Sequence, residues 1–125
     1  MPDWIPNWND VRFDHAAVAR AADACEHAAR LLAEASATRQ RARHQATVRA
    51  EGPAVQHLVH DATALDRRDH DMVTGLRSTA VALRSASDHA RREQAGRLAD
   101  RLRWQLEADR ERLAAAPPAM AGPAR

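Results

Sequence analysis

Between Pro6 and Gly52 the chain contains neither glycine nor proline, and between Pro53 and Pro117 only Gly75 and Gly96 interrupt it. Two long stretches are thus free to stay helical, and Gly52-Pro53 is the punctuation between them. Glycine serves a left-handed helix end, and proline suits the first position of the next helix, where the N–H it lacks would have had no partner. The pair predicts helix 1 over about 14–50, a turn at 51–53 and helix 2 over about 53–116. Ser85, Ser87, Asp88 and Gly96 lower helix propensity inside helix 2, so the spacing leaves open whether it breaks over 85–96 or runs on. So short a corner forces the helices antiparallel. The expected fold is all-α, a helix-turn-helix hairpin that assembles into a dimeric four-helix bundle.

What the helices have to pack with is mostly alanine: 30 of 125 residues are Ala, only 3% are aromatic, and Tyr and Lys are absent. Small seam residues permit close approach but bury little area each, at about 25 cal/mol per Å². In helix 1 the three-and-four spacing runs through Val18, Ala21, Cys25, Ala28, Leu32 and Ala35. In helix 2 it runs through Val55, Leu58, Ala62, Leu65, Asp69, Met72, Leu76, Thr79, Leu83, Ala86 and Ala90, continuing through Leu98, Leu102, Leu106 and Leu113. Val18, Leu32, Leu58, Leu65, Met72, Leu76 and Leu83 are the expected interface and core anchors, with Trp104 on the later part of helix 2. A single hairpin of alanine seams leaves apolar faces open, so a second chain is expected against it.

Folding at Gly52 also predicts a charge register. Residues 39–49 carry Arg39, Arg41, Arg43 and Arg49 and no acid, whereas 61–71 carry Asp61, Asp66, Asp69 and Asp71 against Arg67 and Arg68. Arg43 is expected near Asp61, and Arg39 near Asp66 or Asp69. The lengths do not match, since at about 1.5 Å per residue helix 1 spans roughly 55 Å and helix 2 roughly 95 Å. The overhang must bend back, dock on the irregular, Trp-rich residues 1–13, or bury itself in a partner. Asp14 is a suitable N-cap for helix 1, with Phe13 and Val18 placed as a hydrophobic staple. Residues 117–125, PPAMAGPAR, have the composition of a disordered tail.

Several chemistries lack their residues. No Gly-rich phosphate loop or nucleophile elbow exists among four glycines, so the chain is expected not to be an enzyme and to use no cofactor. His57, His60, Asp61, Asp66, Asp69 and His70 have metal-ligand types, yet His57 and Asp61 lie on one helix face and Asp66 and His70 roughly opposite, so no metal site is expected without His44 or another subunit. A lone cysteine, Cys25, forms no internal disulfide. The 19 arginines face 17 acids interspersed along the chain, which argues against a nucleic-acid surface; the basic run Arg39–Arg49 is the one segment that would serve a cytoplasmic coiled-coil module contacting phosphates. No apolar run approaches a membrane span, and no basic region followed by an apolar core opens the chain. A cytoplasmic protein is expected, exported, if it is, without a cleaved signal peptide.

The corner Ala50-Glu51-Gly52-Pro53 followed by Leu58, the opening VRFDHAAV and the stretch LRSTAVALRSASDHARREQAGR resemble the WXG100, or ESAT-6-like, family as found in actinobacteria, over residues 11 to about 106. Members place Trp-x-Gly at the turn of a helical hairpin. Here Ala50 stands where that Trp would be, so Gly52, with Pro53 after it, carries the turn motif alone. The family's secretion signal, a Tyr four residues before an acid beyond the second helix, has no counterpart; the nearest aromatic, Trp104, has Ala108 four residues on. The resemblance implies a homodimer, or a heterodimer with another helical-hairpin protein, that meets type VII secretion machinery as a substrate or as the escort of one.

Overall fold

The computed structural model describes residues 1–117 and contains two helices, α1 (His15–Thr47) and α2 (Pro53–Ala115). The proline tail beyond residue 117 lies outside the described residues. The chain divides into two compact units, one of residues 14–87 and one of residues 1–13 with 88–125. The segment 85–96 does not break: α2 is continuous through Ser85 and Gly96.

In the first unit, Asp14 caps α1 by accepting a hydrogen bond from the Ala17 N–H at 2.9 Å, as its short acidic side chain suits. The helix ends at Thr47, three residues before the expected 50. Thr47 turns its hydroxyl back to the Arg43 carbonyl at 2.8 Å, and the Ala50 N–H closes a turn on the Thr47 carbonyl. Gly52 then takes φ = 117°, the conformation open to glycine, and its carbonyl accepts the first bond of α2 from Gln56 at 3.1 Å. Pro53 is the first residue of α2 and restricts its predecessor to extended or turn geometry. The corner therefore runs over 48–52 rather than 51–53.

The helices of this unit meet along small residues. Ala22 and Ala29 of α1 and Ala80 of α2 are at most 1% exposed, joined by buried Ser36, Asp69, Val73 and Ser87. One expected row in each helix is in the seam: Val18, Cys25 and Leu32 in α1 and Val55, Ala62, Asp69, Leu76 and Leu83 in α2 are half-buried or buried. The second row falls one residue later than expected, on Ala22, Ala29, Ser36 and Arg43 and on Asp66, Val73, Ala80 and Ser87. Ala21, Ala28, Ala35, Leu58, Leu65, Met72, Thr79 and Ala86 face solvent instead. Leu58, Leu65 and Met72 are thus not core anchors. On this second row alanine and serine let the two backbones approach over a long contact, with Leu32, Leu76 and Leu83 on the row beside it.

The second unit solves the overhang with residues 1–13. Two prolines keep this segment extended, and it runs antiparallel to the end of α2 as a strap whose backbone carbonyls are met by side chains rather than by a ladder. Trp104 donates from Nε1 to the Trp4 carbonyl (2.9 Å), Arg101 to the carbonyls of Asn7 (2.9 Å) and Asn9 (2.8 Å), and Arg97 also to Asn9 (3.0 Å). Gln94 accepts from the Val11 N–H at 2.7 Å. Trp4 donates to Glu107 at 2.8 Å and lies under the Arg103 guanidinium at 4.4 Å, while Trp8 and Trp104 meet edge to face with centroids 5.5 Å apart. The face used is Gln94, Arg97, Arg101, Trp104 and Ala108. The row Leu98, Leu102, Leu106 and Leu113, expected to prolong the seam, is 52–79% exposed.

Candidate association surface

The two edges of the hairpin unit differ in chemistry. Along one, Arg84 of α2 reaches both Glu26 and Asp23 of α1, the latter at 2.8 Å, and the two carboxylates hold its guanidinium further into its charged range. The same edge contains an open cleft lined by Ser36, Gln40, Asp66, Asp69, His70 and Arg77 among others. His15 and the buried Ser87 close the far end of the seam with a 2.5 Å contact from Nδ1 to Oγ.

The charge register is set inside this unit. Arg43 binds Asp66 through both terminal nitrogens, at 2.7 and 3.4 Å, and Arg39 pairs with buried Asp69. Arg43 thus meets Asp66 about a turn beyond Asp61, and Asp61 is exposed. The hydrogen bonds from Arg43 hold the Asp66 carboxyl below its ordinary value of 3.8, against burial, which raises it. Of the four arginines in the basic run, Arg39 and Arg43 are engaged by aspartates, Arg41 donates to Thr38 at 3.3 Å, and Arg49 is exposed.

The helical period places Val18, Cys25 and Leu32 of α1, and Leu58, Leu65, Met72, Leu76 and Leu83 of α2, along the other edge. Leu76 and Leu83 tuck partly into the seam, whereas Leu58, Leu65 and Met72 are 50%, 44% and 52% exposed. Within α2, steps of seven and four keep Leu58, Leu65, Met72, Leu76 and Leu83 along one side of the helix. Monomeric proteins scatter such residues singly, and a contiguous row rimmed by charge marks a contact surface.

Among the described residues, no three of His, Cys, Asp and Glu come together where they would hold a metal ion, and His57, His60 and His70 are exposed. No helix of the described residues is long and apolar enough to cross a membrane. Trp104, expected as an interface residue, is half-buried beneath the strap of its own chain. The clamping role of Arg97, Arg101 and Gln94 escaped sequence reasoning; their only signal is that Gln94, Arg97, Arg101, Trp104 and Ala108 recur at three and four, a row with long polar side chains where leucine was sought. The chain matches no protein-family model, no curated protein and no solved structure.

Proposed function

We propose that this chain is a non-enzymatic, WXG100-like helical hairpin that works by pairing with a second hairpin, as a type VII secretion substrate or as the escort of one. The observation that carries the reading is the apolar edge of the hairpin unit: Leu58, Leu65 and Met72 stand outside the seam, 50%, 44% and 52% exposed. A second hairpin laid on that edge converts two helices into a four-helix bundle and removes the row from water, at about 25 cal/mol per Å². The partner is a copy of this chain or another helical-hairpin protein. The nucleic-acid reading needs free guanidinium groups along the basic run, and Arg39 and Arg43 are held by Asp69 and Asp66.

Light scattering coupled to size exclusion over a concentration series tests the pairing. Leu65→Glu should lower the assembly state by one pairing step while leaving helicity intact, because Leu65 contributes little to the seam. A variant with the wild-type mass and the wild-type concentration dependence of Tm would remove this edge as an association surface. Absence of any shift on duplex DNA at about 50 mM salt is the expected companion result, since a phosphate-binding surface responds most strongly at low salt.

A further inference from the structure

The second unit carries its own unpartnered row, on the part of α2 next to the strap. Leu98, Leu102 and Leu106 are 52%, 58% and 57% exposed although the strap lies along the adjacent face. The row is bounded by a charge at each end, and the spacing is palindromic: Arg91, seven residues to Leu98, four to Leu102, seven to Asp109. Eighteen residues separate Arg91 from Asp109, and at about 3.6 residues per turn that is five turns, so the two charges leave the helix in the same direction as each other. Both side chains are exposed, 61% and 54%, and their present contacts are surface pairs within the helix, Arg91 with Asp88 at 3.5 Å and Asp109 with Arg112.

We propose that this row is a self-complementary surface whose occupant is a second copy of the chain, its α2 lying antiparallel about a twofold axis near residue 100. In that arrangement Leu98 meets the second copy's Leu102, Leu106 reaches the second copy's Ala95 and Ala99, and Arg91 meets the second copy's Asp109 at both ends of the contact. A twofold contact requires a patch to fit itself, and this order of residues does so only when one copy is reversed. Parallel pairing sets Arg91 against Arg91 and Asp109 against Asp109. A partner of another sequence has no need of the palindrome. The surface lies in a different unit from the hairpin edge and stands whether or not that edge is occupied.

Sedimentation equilibrium on the full chain carrying Leu65→Glu and Met72→Glu, which silence the hairpin edge, reads this contact alone. Arg91→Asp by itself and Asp109→Arg by itself each turn two attractive contacts into two repulsive ones and should raise the dissociation constant roughly tenfold. Arg91→Asp combined with Asp109→Arg should return it to within about threefold of the background, although both intrahelical pairs are then lost. Leu102→Glu should abolish association with helicity unchanged. Singles without effect, a double as weak as the singles, or a background protein that is monomeric throughout the series would each overturn the antiparallel pairing.

Discussion

At the scale of single residues, the position with least freedom is Gly52. Its φ of 117° is one that side-chain-bearing residues adopt at a cost, and a Cβ built there meets nothing within 4 Å, so a substitution is penalised through the backbone alone. Gly52→Val should destabilise the hairpin by roughly 1–2 kcal/mol, read as a fall of several degrees in Tm by circular dichroism; an unchanged Tm would mean that the corner relaxes into another turn. Asp66 makes the second residue-level prediction. Its carboxyl is held below its usual range by Arg43, so its contribution to stability is complete above the unfolded value near 3.8 and disappears as pH falls through the lower folded one. The Tm gap between wild type and Asp66→Asn should therefore be widest near neutrality and narrow as the pH falls below the unfolded value of 3.8; a gap that stays constant on acidification would show that the Arg43 contact is not what stabilises.

The elements show where sequence periodicity misleads. The three-and-four spacing was legible in both helices, and the row shared by Val18, Cys25, Leu32, Leu76 and Leu83 is where it was expected. The spacing predicts the companion row on the larger residues Leu58, Leu65 and Met72, whereas the seam takes Asp66, Val73, Ala80 and Ser87. Periodicity fixes that two rows exist a turn apart; it does not say on which side of the first row the second lies, and residue size pointed to the wrong side because close backbone approach favours small residues. The strap is the other element-level result. Trp4→Ala removes the hydrogen bond to Glu107 and the stack under Arg103 and should cost about 2 kcal/mol of local stability. Faster amide exchange over residues 94–108 and a red-shifted Trp emission are the expected readouts. Exchange at the wild-type rate would mean that the contacts of Gln94, Arg97, Arg101 and Trp104 hold the strap without the Trp4 side chain.

For the whole molecule, the contrast between residues in the seam and residues outside it is the informative one. Leu76 is half-buried in the seam, and Leu76→Asp places a carboxylate against alanine, so helicity should fall and the melting transition should broaden. Leu65→Glu, on the exposed row a few turns earlier, should keep its helicity and change only assembly. If both variants melt alike, the apolar edge is part of the fold, and its role as a contact surface is lost.

The sequence by itself determined the helices, the corner at Gly52-Pro53, the Asp14 cap and the general opposition of the basic run on α1 to the acidic run on α2, because each depends on backbone conformation or on residues close together along the chain. Only the tertiary structure decided which of two neighbouring rows is buried, that Arg43 settles on Asp66 rather than Asp61, that α2 runs through Gly96, and that residues 1–13 lie along the end of α2. Those outcomes depend on how closely two helices approach and on which side chains reach the carbonyls of an extended segment, and such long-range terms are invisible to a spacing rule.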